Sequence, residues 1–126
     1  MEWYTGNIEE ETLNNTFFRK VLFTGPHSQL VVMNLAPGEE IGEEVHDEVD
    51  QFLRFEEGDG IAIVNGAEQT VADGDAVVVP AGCRHNIINT SDTKHLKLYT
   101  VYTPPNHADG TVHKTKAEAD LAEIHH

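Results

Sequence analysis

Cysteine is nearly absent: Cys83 is the single one in 126 residues, so no internal disulfide can staple the chain. Basic residues are scarce, 8 against 22 acidic ones, for a formal net charge of -14. A surface of that sign repels phosphate backbones and anionic lipid, which argues against nucleic-acid and peripheral membrane roles. No apolar run approaches the roughly 18 residues of a membrane helix. No basic-then-apolar leader stands ahead of Trp3, so the expected compartment is the cytoplasm. Neither a G-x-S-x-G elbow nor a phosphate-cradling glycine loop is present.

What the chain does have is a regular succession of short β-rich runs separated by turn residues. They cover Thr16 to Thr24, Gln29 to Ala36, Gln51 to Phe55, Gly60 to Val64, Gln69 to Ala72, Ala76 to Val79, His85 to Asn89 and Leu96 to Thr103. That rhythm predicts an all-β sandwich or barrel. Asn65-Gly66 reads as a type I′ hairpin turn, because both central residues must tolerate positive φ. Asp73-Gly74, Pro37-Gly38 and Pro80-x-Gly82 punctuate other strands. A helix is expected only near the end, from about Lys114 to Ile124, where Ala, Glu, Lys and Leu dominate, with Thr111 or a neighbour as its N-cap. The organisation expected is an N-terminal arm over residues 1–15, a barrel over 16–103, and a polar connection with a short helix over 104–126. The arm carries Trp3, Tyr4 and Ile8, whose apolar area calls for cover from the barrel or from a second subunit.

Two glycine-framed patterns carry the most information. Gly74, Pro80, Gly82, His85 and Asn89 fall at the spacing G-x5-P-x-G-x2-H-x3-N, which resembles the second motif of the cupins. From Gly38 to Gly58 the frame of the first cupin motif, G-x5-H-x-H-x4-E-x6-G, is kept. Within it Glu44 stands at the first His position, His46 at the second, and Gln51 at the Glu position. The resemblance implies a double-stranded β-helix, the jelly-roll barrel of small single-domain cupins, and a homodimer as the assembly. It also implies that Glu44, His46, Gln51 and His85 surround one divalent transition metal.

Strand alternation is consistent with this, since positions 44 and 46 share a face. Exchanging His for Glu at one position and Glu for Gln at another keeps one anionic ligand in the set. Two imidazoles, a carboxylate and an amide oxygen suit zinc, manganese, iron, nickel or cobalt rather than copper(I). Should Glu44 turn away, Asp50 or Glu48 would be its substitute. Small cupins acting on sugar acids and keto sugars, which this chain resembles, can carry Gln at the Gln51 position. Their inward residues on the last strand include an acid and an aromatic; here Tyr102 matches the aromatic, and Thr100 replaces the acid.

The implied function is a metal-dependent isomerase or lyase working on a sugar or sugar-acid carbonyl, with Tyr102 as the candidate for orienting substrate or donating a proton. A non-haem iron dioxygenase would use the same ligands, and a binding module would hold a small molecule without turning it over. Cys83 shares the strand parity of His85 and reads as a small buried hydrophobe, Arg54 as an exterior residue, and Asn89 as a strand-end hydrogen-bonding residue. His107 and His113 read as solvated loop residues, the alternative being that they fold over the barrel mouth or reach a neighbouring subunit. The terminal His125 and His126 are set aside, since the remnant of a tag would look the same.

Overall fold

A computed structural model describes residues 2–124, so His125 and His126 lie outside it. Helix α1 spans Ile8–Asn14 and is followed by β1 (Arg19–Thr24), β2 (Gln29–Leu35), β3 (Glu44–Val45), β4 (Asp50–Glu57), β5 (Asp59–Val64), β6 (Ala67–Ala72), β7 (Ala76–Val79), β8 (Arg84–Asn89), β9 (Leu96–Thr103) and β10 (Val112–His113), with α2 over Lys116–Ile124. The strands form a six-stranded sheet in the order β10-β1-β2-β9-β4-β7 and a four-stranded sheet in the order β3-β8-β5-β6. Every named pairing is antiparallel. The architecture is the jelly roll expected from the strand rhythm.

Alternation of burial shows which side of each strand faces inward. In β4, Gln51, Leu53 and Phe55 are buried between half-buried neighbours; in β9, Leu96, Leu98, Thr100 and Tyr102 are. Leu53, Phe55, Met33, Leu35, Leu96 and Leu98 are wholly buried. Each such side chain contributes roughly 1.5–3 kcal/mol relative to exposure. Register then places chemistry beside this core: Gln29 faces Tyr102, Tyr102 faces Gln51, and Gln51 faces Val79, a single row across β2, β9, β4 and β7.

The arm is a helix, which the sequence reading did not foresee. Asn7 caps it by accepting from Glu10 N at 3.0 Å, and Glu9, Glu10 and Glu11 complement the positive end of its dipole. It packs against β9, β4 and β2, so β2 is buried on both faces from Val31 to Leu35. Lys97 Nζ ties it down by donating to Leu13 O at 2.6 Å. The cover is therefore intramolecular for the helix, while Trp3 ahead of it stays 77% exposed.

At the other end α2 begins later than expected. Thr115, not Thr111, is its cap, accepting from Glu118 N at 3.1 Å, while Thr111 closes a turn by donating to Ala108 O at 2.6 Å. Asn65 and Gly66 both have positive φ, 49° and 83°, as the hairpin requires. Gly58, at φ 94°, has a second constraint: a Cβ there would strike the carbonyl of His95.

Candidate metal centre

Glu44 ends up on the barrel interior because β3 pairs with β8 in a register that sets Glu44 opposite His85. His46 lies one residue beyond the strand, yet its Nε2 stands 3.0 Å from Glu44 Oε2, so the two side chains share a side as alternation predicts. The contact is short without the alignment of a hydrogen bond, and His46 Nε2 is buried with no hydrogen-bond partner. Burial pushes the Glu44 carboxyl up, but contact with His46 and the charges of His46, Arg19 and His85 outweigh it and hold Glu44 below the usual carboxylate range. Glu44 is thus an anion at neutral pH.

His85 is buried, and its Nδ1 lies 3.0 Å from Cys83 O. A carbonyl only accepts, so Nδ1 carries the hydrogen and Nε2 keeps its lone pair, the tautomer a metal ligand needs. Its ring centroid is 5.3 Å from that of His46. Gln51 is buried on the inward side of β4, opposite Tyr102 in the register. Its Nε2 donates to Thr100 Oγ1 at 3.0 Å, and its Oε1 is buried without a partner.

Among the described residues no three His, Cys, Asp or Glu side chains converge on one point. The pair Glu44 and His46 converges, His85 stands a ring's breadth away, and the fourth donor is an amide. A buried amide oxygen and a buried imidazole nitrogen without hydrogen-bond partners, a neighbouring carboxylate and a tautomer-fixed imidazole fit a divalent cation chemically, since buried polar atoms are otherwise satisfied. Asp50 and Glu48 do not serve as substitutes: both are exposed, and Asp50 Oδ1 accepts from Ala81 N at 2.8 Å.

Tyr102 lies beside this group, its ring edge-on to His46 at 6.1 Å. Burial pushes its hydroxyl far above the usual phenol range, so it remains a hydrogen-bond donor. His107 packs against it at 5.1 Å between centroids, with Nε2 3.4 Å from Tyr102 Oη. The solvated reading of His107 and His113 is therefore corrected. Both are half-buried, and burial, reinforced by the charge of Arg19, pushes His107 down to about 4.

Gln29 explains why His107 sits there. It donates from Nε2 to Thr24 Oγ1 at 3.0 Å and to His107 O at 2.7 Å, and its Oε1 accepts from Asn106 N at 3.1 Å and His107 N at 2.9 Å. A loop that looked free is clamped by a buried amide.

Sequence reasoning missed Gln29 and Arg19, the signal for the first being a Gln at an inward-parity position of β2; for His107 the structure favours the alternative in which it folds over Tyr102. Arg54 is on the outside, 3.6 Å from Glu56, and Cys83 is half-buried against the core with its Sγ accepting from Asn65 Nδ2 at 3.4 Å. Asn89 Nδ2 donates to Leu35 O, Ala36 O and Lys94 O, the strand-end role expected. A groove of about 840 Å³ lies elsewhere, at the opposite end of β9, where Glu57, Asp59, Asp73 and Lys94 are exposed to water.

A jelly roll with these residues at one end of its interior defines a small β-barrel of the cupin type. The chain belongs to the cupin family, whose domain matches residues 31–102. It is 50% identical over 123 residues to YrkC of Bacillus subtilis (strain 168), an overlap of 93% of this chain and 66% of that relative. The chain thus spans slightly less than two-thirds of that relative's length. The crystal structure of BH2720 from Bacillus halodurans, 45% identical, matches with a TM-score of 0.91 over 94% of this chain and 93% of that one. That of a predicted oxalate decarboxylase from Thermotoga maritima, 25% identical, matches at 0.59 over 64% and 69%. Divalent metals are common in this family. No helix among the described residues is long and apolar enough to cross a membrane.

Proposed function

We propose that the protein is a metal-dependent cupin acting as an isomerase or lyase on the carbonyl of a sugar or sugar acid. The observation that carries this reading is Gln51 Oε1, an acceptor buried without a partner, on a residue that faces Tyr102, whose ring lies 6.1 Å from that of His46. Leaving such an atom unmet costs about 1–3 kcal/mol, and a cation removes that cost. A divalent ion held by Glu44, His46, Gln51 and His85 would supply Lewis-acid polarisation of the carbonyl.

The remaining work falls to the chain's own side chains. Tyr102, protonated, offers a hydrogen bond that orients substrate. His107, neutral and with Nε2 3.4 Å from that hydroxyl, orients it: an imidazole N–H donating to Oη leaves the phenol hydrogen for a substrate oxygen. The Thermotoga maritima relative, a predicted oxalate decarboxylase, lends support to chemistry on an acid.

A second reading, a barrel that binds a small molecule without turning it over, is favoured by Thr100, which stands wholly buried where the sugar-acid cupins have an acid. The experiment is metal analysis of protein lacking the terminal histidines, followed by turnover of a keto-uronate and measurement of oxygen uptake. One bound divalent ion and oxygen-independent turnover are expected. Oxygen consumption with iron bound would instead make the protein a dioxygenase, and binding without turnover would make it a binding module.

A further inference from the structure

Arg19 is 3% exposed, on the inward side of β1 with Val21. Its Nε is buried and has no hydrogen-bond partner. Nη1 lies 3.1 Å from Nδ1 of His113, and since a guanidinium only donates, that imidazole nitrogen is the acceptor. The guanidinium also sits 5.3 Å from the ring centre of Phe18. Among the described residues, arginine–carboxylate ion pairs join Arg54 to Glu56 and Arg84 to Glu43; none involves Arg19.

A buried cation without a carboxylate is costly to keep, because taking a charge out of water is repaid only by a counter-charge in good geometry. Arg19, Gln51 and Tyr102 are all buried residues of the same six-stranded sheet, on β1, β4 and β9, so Arg19 faces the interior that the candidate ligands share. Its charge is felt there by Glu44, Tyr102 and His107. His113 occupies one Nη, and the edge formed by Nε and the other Nη is the fork that matches the two oxygens of a carboxylate.

We propose that Arg19 is the docking group for a carboxylate on the substrate, so that the site takes a sugar acid and rejects the corresponding neutral sugar. The position of the reacting carbonyl rests on the metal-site reading above; the binding of the carboxylate does not.

The test compares D-galacturonate with D-galactose, which differ in carrying a carboxylate or a hydroxymethyl group at C6. Full-length wild type, Arg19→Met and Arg19→Lys are titrated by calorimetry and melted with and without each sugar, and manganese retention is measured on the same samples. Wild type should bind galacturonate at least tenfold more tightly than galactose. Arg19→Met should lose that discrimination, hold or gain melting temperature without ligand, and retain manganese like wild type. Arg19→Lys, which keeps the charge without the fork, should fall between them.

Equal binding of the two sugars by wild type, or undiminished galacturonate binding by Arg19→Met, overturns the proposal. So does an Arg19→Met variant that fails to fold while Arg19→Lys matches wild type in galacturonate affinity, for the fork is then only structural. Galacturonate bound through Arg19 by a chain that retains no manganese sinks the metal reading alone. A manganese-loaded chain indifferent to galacturonate sinks this one alone.

Discussion

Thr100 accepts a hydrogen bond from Gln51 Nε2 at 3.0 Å, and this one bond decides which end of the amide faces the candidate metal centre. Thr100 and Gln51 come from neighbouring strands, β9 and β4, as a diagonal pair two residues apart in register, so both face inward. Glutamate at 51 would keep the arrangement, because a threonine hydroxyl can reverse and donate. Gln51→Glu is expected to hold or raise affinity for zinc or manganese. Thr100→Val leaves Nε2 buried and unmet; it should weaken metal binding and lower stability by about 1–3 kcal/mol, as read from metal titration and urea unfolding.

The charge argument ranks the other ligands. Glu44 supplies the anion, so Glu44→Gln should weaken metal binding more than Gln51→Ala, because a neutral set leaves the cation's charge uncompensated. His46→Ala together with His85→Ala, in protein without the terminal histidines, should abolish it. Stoichiometric metal in that double variant would be decisive against the site.

His107 sets part of the acid limb of stability. Burial first, then the charges of Arg19, His113 and His46, against the opposing pull of Glu44, depress its pKa from 6.5 to about 4. Between those values the unfolded chain binds more protons than the folded one, so stability contributed by neutral His107 falls as pH drops from about 6.5 to about 4. Replacing it by phenylalanine should flatten the pH dependence of unfolding in that window. An unchanged slope in chemical denaturation across those pH values would show that His107 does not titrate as argued.

Asn89 closes three backbone carbonyls at 2.9–3.1 Å with one amide nitrogen, and its Oδ1 accepts from Ser91 N at 3.0 Å. It is 1% exposed. Asn89→Ala strands several of these groups, and a loss of about 2–4 kcal/mol is expected in equilibrium unfolding, with metal affinity little changed if the ligands stay in place.

Homodimerisation is proposed on the exposed indole of Trp3, next to a helix that already has its own cover. Light scattering at micromolar concentration should give a dimer, and removal of residues 1–12 should shift it towards monomer. A monomer unaffected by that truncation would remove the proposal.

The glycine frames and strand rhythm were readable because they are local: turns need positive φ at fixed places, and inward residues alternate. Eight strand positions were legible within a few residues, and Leu96–Thr103 and Ala76–Val79 to the residue. The two-residue strands β3 and β10 were not, since nothing in Glu44–Val45 or Val112–His113 alternates long enough to register. Helix α1 had a signal, Asn7 followed at 10 by Glu, but seven residues are too few for a clear apolar period. Glu44, His46, Gln51 and His85 were singled out by their resemblance to positions of the two cupin motifs. Arg19 could not be, because its burial depends on β10 returning from 94 residues away, and His107 is held by Gln29 across 78.

The strand order has a consequence for how the chain is made. β9 lies between β2 and β4, yet it is synthesised after both, so Thr103 must leave the ribosome before either neighbour finds that partner. Until then a wholly apolar stretch, Val31 to Met33, has an open edge facing any other nascent chain. Pairings this distant in sequence make folding slow relative to local helices and leave collapsed intermediates exposed to aggregation. Chains halted before residue 96 should therefore be the ones that chaperones hold, and completion of β9 the event that releases them.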